Sequence, residues 1–596
     1  MTWPLNWQLT SLFPEFGGAA YEAHWTDLES GIERLETLAL ELGAITPDNA
    51  GNWAEVLLLG EQITADYSHL LSYLHCLASA HADNQEYKAA MGRVSTLRAK
   101  YSKAYAGVMA AFKNVDDTGF HALAEQQELA DITYFLQRLR EEAARTMDPA
   151  LEVLAADLGV DGLSAWGRLY DEVSGKLEFP LHSEEGETMV PMAQKRGLLE
   201  SPDPDTRRQV LQSSNQAWES VEHVVAACLN HISGTRLTLN RHRGVDNVMT
   251  VPLFEAGVEQ ATINAMWDEV AKARNTASEY GLLKAKLMGK TCLGFQDLPA
   301  PLPGGDTVSY EWDQAVDLVL SSFHAAYPAL GDFAEEMIEK GHVEAEKRPA
   351  KRPGAFCTTS LKNRESRVFM TFGGGLGDVK TLAHELGHAF HSRLLKDTRP
   401  FAARYPMTLA ETASTFAERL LQNHLLDDPA TPQTVKQAVL GSRLDDSLTF
   451  LCDIPMRYFF EQALYAERGQ GEVPLARIKE LVLAAQQEWF GPALDPAEQD
   501  PMFWASKLHF YIISVSFYNF PYTFGYLLSL WIASSARAQG SAFLPRYEEF
   551  LRLTGGDTAE NVAHRALDQD ISTGGFWRLG LDEISADLAR FRELIG

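Results

Sequence analysis

Residues 367–395, RVFMTFGGGLGDVKTLAHELGHAFHSRLL, change from strand-like to helix-like sequence. The first part, VFMTF, is rich in β-branched and aromatic residues, and a glycine-rich turn follows it. Asp378 suits a helix N-cap. The residues after it carry an apolar face at three- and four-residue spacing: Val379, Leu382, Leu386 and Ala389. This segment is therefore predicted to form a strand, a turn and an amphipathic helix.

Two histidines lie away from that apolar face. Residues four apart on a helix have Cβ atoms roughly 5–6 Å apart, so His384 and His388 can bind one tetrahedral ion. Glu385 lies on the helix flank, where its carboxylate can reach a water held by the ion instead of the ion itself. This is the H-E-x-x-H pattern, in which histidines bind zinc and the glutamate is a general base. The pattern predicts a zinc site with Glu385 as the catalytic base.

Two histidines leave a hydrolytic zinc site incomplete, because such sites use three protein ligands and keep a fourth position open. The metzincin extension needs a glycine and a third histidine where this chain has His391 and Leu394, so that class is excluded. We therefore expect a glutamate, and the best candidate is Glu411, on a second amphipathic helix beginning near Thr408. In the alternative, Glu411 forms a capping box with Thr408 and only bonds the start of its own helix.

Two nearby side chains have competing interpretations. Glu418 lies two turns after Glu411 on the same helix face and could orient a ligand histidine through its other ring nitrogen. A solvated or ion-paired glutamate is an equally good interpretation. His391, one turn after His388, is expected to pack, cap or touch substrate, and not to bind zinc.

The first third of the chain is predicted to be almost wholly helical. Between Thr26 and Gly43 apolar residues recur with helical spacing, Thr26 and Glu29 fit a capping box, and Gly43 suits the helix end. Residues 179–192, FPLHSEEGETMVPM, break the helical period and predict a loop or hairpin. We place a boundary near residue 195, between an N-terminal helical lobe (1–195) and a catalytic lobe (196–596).

Charge and hydropathy limit the expected partners. The chain has 81 acidic and 52 basic residues and a formal net charge of −29, which would repel nucleic acid and anionic membrane surfaces. The same charge could weakly steer cationic ligands. Residues 515–536 are long enough to cross a bilayer. However, Asn519, Pro521 and several hydroxyl side chains predict a buried or cleft-lining segment, so we expect neither nucleic acid nor membrane as a partner.

The cysteines and the N-terminus bear on the cellular compartment. The five cysteines lie far apart, and an odd, sparse set suits a reducing compartment. The opening residues MTWPLNWQLTSLFPEF lack a basic start and an uninterrupted apolar stretch, which argues against a secretory signal. A cytoplasmic location is expected.

With these residues in hand, the sequence resembles the oligoendopeptidase F and thimet oligopeptidase family of zinc peptidases, and specifically its bacterial oligoendopeptidase F branch. The resemblance covers most of the chain and is strongest in FMTFGGGLGDVKTLAHELGHAFH (369–391), ETAS (411–414) and HFYIISVSFYNFPYTFGYLL (509–528). It implies a mainly α fold of two helical lobes around a deep substrate channel, with a zincin-type core and a small β-sheet. It also implies one Zn²⁺ per chain bound by His384, His388 and Glu411, with Glu385 as general base.

The resemblance assigns further roles. Family members use a late histidine and tyrosines to bind substrate and stabilise the developing oxyanion, and the candidates here are His509, Tyr518, Tyr522 and Tyr526. The neighbouring phenylalanines, and one or two of the tyrosines, are expected to pack in the core: Phe517, Phe520 and Phe524. The strand at 367–372 is expected to pair with the bound peptide, and the glycines at 373–375 would allow close approach.

The predicted function is hydrolysis of internal bonds in short peptides. One alternative is a gluzincin of the thermolysin or aminopeptidase type, which shares H-E-x-x-H and a distant glutamate. A different class is a helical binding or scaffold protein in which the histidines are structural. The sequence carries no signal of oligomeric state.

Overall fold

The computed structural model describes residues 2–183, 186–303 and 308–596. Its contacts divide the chain into two compact units, each made of three separate segments. The first unit comprises Met1–Thr146, Thr307–Asp427 and Ile532–Gln569, and the second comprises Met147–Asp306, Asp428–Trp531 and Asp570–Gly596. The predicted boundary near residue 195 lies inside the first segment of the second unit, and a division of the chain at that point stays a prediction.

The first unit is mainly helical. Its α-helices are Ala19–Leu42, Ala50–Ala80, Gln85–Asn114, Asp117–Ala124, Thr133–Ala144, Trp312–Ala326, Pro328–Glu339, Leu376–Leu394, Met407–Ala410, Thr412–Asp427, Leu544–Leu553 and Ala559–Val562. The N-terminal helices bury one face each in a shared apolar core that includes Leu35, Trp53, Leu70 and Leu136. This core forms because their apolar residues recur at helical spacing.

The first helix corrects one detail of the sequence analysis. It begins at Ala19, so Thr26 lies inside it, and the Thr26 hydroxyl donates to the carbonyl of Glu22 at 3.0 Å. The predicted capping box at Thr26 is therefore wrong, because a threonine within a helix can bond the preceding turn instead. The predicted end is confirmed, since Gly43 follows the last helical residue with φ of 61°.

A three-stranded sheet precedes the helix Leu376–Leu394. The strand Glu365–Phe369 lies in its centre, parallel to Val343–Glu344 on one side and antiparallel to Phe356–Ser360 on the other. Beyond the strand, Met370 and Phe372 still donate their N–H groups to the carbonyls of Glu344 and Ala345, at 2.8 and 2.9 Å. Phe356–Ser360 is thus an edge strand.

The second unit is also mainly helical. Its α-helices are Pro149–Asp161, Leu163–Lys176, Lys195–Leu199, Pro204–Glu219, Glu222–His242, Thr250–Ala256, Gln260–Leu287, Gln433–Leu448, Ile454–Arg468, Leu475–Phe490, Phe503–Ser506 and Gly574–Ile595. One more helix, Phe520–Gln539, contains the division at Trp531. Short 3₁₀ or π segments complete the two units: Gln127–Ile132, Met192–Gln194, Phe295–Asp297, Thr449–Asp453, Gly491–Ala493, Leu508–Tyr511, Gly540–Ala542 and Ala563–Leu567.

The second unit contains a β-hairpin where the sequence predicts a loop or hairpin. Glu178–Ser183 pairs antiparallel with Gly186–Pro191, and residues 184–185 of the predicted segment lie outside the described residues. Between residues 2 and 177 no residue is in a strand, which confirms the helical first third. The mainly α fold with small sheets is confirmed as well.

The apolar stretch 515–536 is part of a protein core. Phe517, Phe520 and Phe524 are each at most 1% exposed, as predicted. Among the helices of the described residues, none combines the length and the apolar character needed to cross a membrane.

Candidate metal centre

The metal-site helix, Leu376–Leu394, starts at the glycine-rich turn. The sequence predicts Asp378 as its N-cap, but the N-cap is Gly375 and Asp378 lies in the first turn. Oδ2 of Asp378 accepts the N–H groups of Gly373 and Gly375, at 2.9 and 3.0 Å. Between them Gly374 has φ of 92°, which side chains rarely allow. The carboxylate thereby closes the turn that joins the central strand to the helix.

The helix places two histidines opposite Glu411. Nε2 of His384 lies 3.3 Å from Oε2 of Glu411, and Nε2 of His388 lies 3.4 Å from the same oxygen. A tetrahedral zinc site with bonds of about 2.0–2.1 Å separates neighbouring ligand atoms by about 3.3–3.4 Å. The three ligand atoms all lie within 4.8 Å of one another. This donor set of two imidazoles and one carboxylate therefore fits zinc in type and in spacing.

Glu411 reaches this position from a break between two helices. The sequence predicts one helix from near Thr408, whereas the structure has Met407–Ala410 and then Thr412–Asp427, with Glu411 between them. The Ser414 hydroxyl donates to Oε2 of Glu411 at 2.9 Å and helps fix the carboxylate. Because that oxygen faces both histidines, the contacts favour the metal-ligand interpretation over the capping box.

A glycine allows the two helices to come this close. An ideal Cβ built on Gly387 would lie 2.6 Å from the carbonyl oxygen of Ala413 and 2.7 Å from the Cα of Ser414. Real Cβ atoms do not approach backbone so closely, so residue 387 must be glycine for this packing. Gly387 thus allows the neighbouring helix to approach closely enough for Glu411 to reach the histidines.

Glu418 holds the first histidine. Oε1 of Glu418 lies 2.6 Å from Nδ1 of His384, and its other oxygen lies 3.2 Å from Nζ of Lys380. A proton on Nδ1 in this bond leaves Nε2 as a lone-pair donor. Burial opposes protonation of His384, but the carboxylates of Glu411 and Glu418 outweigh it and raise its pKa to about 10. The two carboxylates thus create a strong preference for a cation at this imidazole.

Glu385 lies beside the three candidate ligands without joining them. Its side chain is buried, and Oε2 has no hydrogen-bond partner among the described residues. Burial raises the pKa of Glu385, against the opposing influence of His384 and His388. A buried carboxylate with a raised pKa and a free oxygen can take up a proton and release it again.

A cavity opens at these residues. Its volume is about 710 Å³, and ligand pockets span roughly 300–1,000 Å³. His384, Glu385, His388 and Glu411 line it, together with residues 355–359 of the edge strand and its approach. The candidate ligands and the candidate base are therefore accessible to a bound molecule.

The prediction that residues 367–372 pair with a bound peptide is wrong. Glu365–Phe369 has a paired strand on each side, and residues 370 and 372 continue one of these pairings, so little backbone is left for a ligand. The edge strand Phe356–Ser360 lines the cavity instead. The Ser68 hydroxyl donates to the Thr359 carbonyl at 3.0 Å, so that carbonyl points away from the central strand. The backbone N–H and C=O groups of successive strand residues point alternately toward and away from the neighbouring strand. Those of Cys357, two residues before Thr359, therefore also point away from the central strand.

His391 has a structural role, as predicted. It is fully buried, its Nε2 lies 2.8 Å from Oγ1 of Thr554, and its ring stacks on Tyr405 with centroids 4.2 Å apart. Burial lowers the pKa of His391 to about 3, which keeps the ring neutral.

The other four predicted site residues, His509, Tyr518, Tyr522 and Tyr526, lie in the second unit. Nδ1 of His509 lies 2.6 Å from Oδ1 of Asn519, and its ring lies 4.8 Å from that of Tyr518. The Tyr522 hydroxyl donates to that of Tyr518 at 3.2 Å, so these three are brought together. Tyr526 is buried and stacks on Phe450, the packing role expected of one or two tyrosines. Burial lowers the pKa of His509 to about 4.

Two residues that sequence reasoning missed, the partly buried Arg236 and the buried Glu461, hold the loop between His509 and Tyr518. Arg236 donates to the carbonyls of Ile512, Ile513 and Val515 at 2.9, 3.2 and 3.1 Å. Glu461 accepts the N–H of Phe517 at 2.9 Å, where the backbone has φ of 53°. No local pattern could reveal them, because each contacts a loop far away in the chain.

Comparison with known proteins places these features in a family. Residues 311–578 match the family model described as Peptidase family M3, and residues 112–179 match the model described as Oligopeptidase F. The chain is 22% identical over 587 residues to an oligoendopeptidase F homolog of Lactococcus lactis, covering 96% of this chain and 94% of that one. It is 20% identical over 559 residues to oligopeptidase PepF of Bacillus subtilis, covering 92% and 81%.

Solved structures share the fold. A Chlamydophila abortus protein classed as a peptidase superposes with a TM-score of 0.85 at 21% identity, covering 99% of this chain and 98% of that one. Oligoendopeptidase F from Enterococcus faecium gives a TM-score of 0.71 at 18% identity, covering 97% and 99%. With the site described above, these matches define a peptide-hydrolysing metalloenzyme. The chain belongs to peptidase family M3, in its oligoendopeptidase F branch, which confirms the resemblance.

Proposed function

We propose that this protein is a zinc-dependent endopeptidase that cleaves internal bonds of short peptides. One observation carries the proposal: Nε2 of His384 and Nε2 of His388 lie at zinc-ligand spacing from Glu411, beside a buried oxygen of Glu385 that has no hydrogen-bond partner in the described part of the chain. The cavity at this site is large enough for part of a peptide. The names of the relatives, oligoendopeptidase and oligopeptidase, support the substrate class.

His384, His388 and Glu411 would hold the metal, and Glu418 would keep Nδ1 of His384 protonated so that Nε2 faces the ion. Zinc bound there supplies a Lewis acid that lowers the pKa of water from 15.7 to about 7. Ser414 and Glu418 are themselves hydrogen-bonded to ligands, so the side chains are oriented before the metal arrives.

Glu385 moves the proton. Its free Oε2 accepts a proton from the attacking water and then donates it to the nitrogen of the leaving amine. The raised pKa that burial gives Glu385 helps the second transfer, since a carboxyl group of ordinary pKa would release the proton to solvent sooner. General acid–base catalysis of this kind contributes about 10²–10⁴-fold to the rate.

The edge strand Phe356–Ser360 would bind the peptide backbone by adding it as a further strand. Cys357 presents its backbone groups to that side, and at Thr359 the carbonyl is already bonded to Ser68. The pairing would therefore be short. From the family resemblance we add His509, Tyr518 and Tyr522 as groups that bind substrate and stabilise the oxyanion, a role worth a few kcal/mol for a well-placed donor.

Product analysis tests the proposal against an aminopeptidase. We would incubate the protein with a ten-residue peptide, either with a free N-terminus or N-acetylated, and identify the products by mass spectrometry. We expect internal cleavage of both peptides at similar rates, abolished by a zinc chelator and restored by added Zn²⁺. Release of single N-terminal residues from the free peptide alone would contradict the endopeptidase proposal.

A further inference from the structure

Two arginines that line the cavity of the metal centre form no ion pair with any residue that the structure describes. Arg364 and Arg404 both contribute to its wall, and no carboxylate among the described residues lies within 4.0 Å of either guanidinium. Arg404 is exposed, whereas Arg364 is partly buried. In a chain with a formal net charge of −29, acidic partners are abundant. A partly buried arginine that has none of them is therefore a notable feature of this cavity.

The carboxylates nearest to Arg364 are committed elsewhere or remain at a distance. Glu61 and Asp397 both act on the Arg364 guanidinium through their charge. However, Glu61 already accepts hydrogen bonds from Arg399 at 3.1 Å and from the N–H of Phe401 at 3.2 Å. Burial lowers the pKa of Arg364, so its charge is partly desolvated without full compensation. A carboxylate arriving from outside would supply the missing partner.

The backbone holds Arg364 in place at some cost. Residues 361–364 connect the edge strand Phe356–Ser360 to the central strand, and Arg364 closes this loop with φ of 57°. Its N–H donates to the carbonyl of Ser360 at 2.8 Å. A non-glycine residue in this left-handed region is strained. The turn thus places Arg364 at the end of the strand that would bind the peptide backbone.

We propose that Arg364 determines specificity by binding a carboxylate of the peptide substrate; this inference rests on the proposed peptidase function. A guanidinium binds a carboxylate through two parallel hydrogen bonds, which gives both orientation and affinity. The carboxylate comes from an Asp or Glu side chain or from the C-terminus of the peptide. A guanidinium at this part of the cavity wall would select an anionic group, in contrast to the weak steering of cationic ligands expected from the net charge.

Binding is measured on the zinc-loaded Glu385→Gln protein, so that peptides are not consumed. The probes are ten-residue peptides that carry one Glu or one Gln at each position in turn, with a free or an amidated C-terminus. The test variant is Arg364→Asn, because asparagine tolerates the left-handed backbone. The matched control is Lys396→Met. Lys396 and Arg364 both line a second cavity of about 570 Å³, but Lys396 does not line the cavity of the metal centre.

We expect the parent protein to bind one carboxylate peptide at least about tenfold more tightly than its neutral analogue, as one charge-assisted pair provides. Arg364→Asn should erase this ratio and Lys396→Met should keep it. If the Glu peptide binds more tightly than its Gln analogue, the bound group is a side-chain carboxylate. If the peptide with a free C-terminus binds more tightly than its amide, the bound group is the C-terminal carboxylate. The proposal is overturned if the parent binds the carboxylate and neutral peptides equally, or if Arg364→Asn retains the parent's preference; loss of that preference in Arg404→Met would then assign it to Arg404. If binding depends on the carboxylate but the wild-type protein cleaves no peptide, the proposed peptidase function is contradicted and the role of Arg364 in binding stands.

Discussion

Oε1 of Glu418 lies 2.6 Å from Nδ1 of His384, on the side of the ring opposite to the nitrogen that faces Glu411. Glu418 therefore contacts the nitrogen of His384 that does not face the metal position. It still determines which nitrogen of His384 carries a proton. Lys380, 3.2 Å from the other oxygen of Glu418, keeps this carboxylate ionised by lowering its pKa against the effect of burial.

Glu418→Gln should weaken zinc binding by about 10–100-fold, because an amide fixes the tautomer and basicity of His384 less firmly than a carboxylate. Zinc affinity is measured by competition with a chromophoric chelator at constant pH. Glu339→Gln, an exposed glutamate of the same unit, serves as the control and should bind zinc like the wild type. Unchanged affinity in Glu418→Gln would mean that the contact does not tune the ligand.

Gly387→Ala should separate the two helices that carry the ligands. The added Cβ would meet the Ala413 carbonyl at 2.6 Å, and overpacking of this kind costs about 1–3 kcal/mol. We expect a matching loss in the free energy of unfolding and weaker zinc binding, measured by denaturant titration and chelator competition. Gly377→Ala in the first turn of the same helix is the control, since its Cβ would meet nothing within 4 Å. If both variants behave alike, the close helix packing is not what positions Glu411.

Glu461→Gln should change how stability depends on pH. Burial raises the pKa of Glu461 to about 7 in the folded protein, opposed by the Phe517 N–H and Arg236, whereas an unfolded glutamate has a pKa near 4.3. Between these two values the unfolded chain releases its proton and the folded protein keeps it, so rising pH destabilises the wild type until about pH 7. The neutral glutamine does not titrate. We expect the variant to be more stable than the wild type by about 3–4 kcal/mol at pH 8 and by about 1 kcal/mol at pH 5, since one pKa unit corresponds to about 1.4 kcal/mol.

Denaturant titrations between pH 5 and pH 9 measure this difference. Glu472→Gln, on an exposed side chain of the same unit, is the control and should follow the wild type at every pH. A Glu461→Gln protein that is less stable than the wild type at pH 8 would show that Glu461 is ionised in the folded state and that its charge stabilises the loop.

The sequence predicts what local spacing determines and fails where distant segments meet. His384, Glu385 and His388 lie within five consecutive residues of one helix, so helical spacing alone predicts that their side chains are neighbours. Glu411 could be named as a candidate, but its position in a helix break depends on packing against Gly387, which the helical period of its own segment does not show.

Strand order is the clearest failure. The β-prone residues 367–372 predict a strand but do not show which strands lie beside it. Only the pairing with Val343–Glu344 and Phe356–Ser360 makes that strand central. The signal for the true edge strand was present in the short run FCTTS followed by the loop LKNR, whose last three residues are polar; together they resemble the first half of a hairpin. The composition of the two units could not be predicted from local sequence either, because each unit is assembled from three separate segments.

The measurement that tests the central claim most directly is hydrolysis of an internally quenched ten-residue peptide by wild type and Glu385→Gln, with zinc content determined on both samples. The proposal predicts one zinc per chain in each protein and a fall in kcat of about 10²–10⁴-fold in Glu385→Gln, because the variant keeps the ligands and loses the base. Cleavage by zinc-loaded Glu385→Gln at the wild-type rate would contradict it and remove Glu385 from the chemistry.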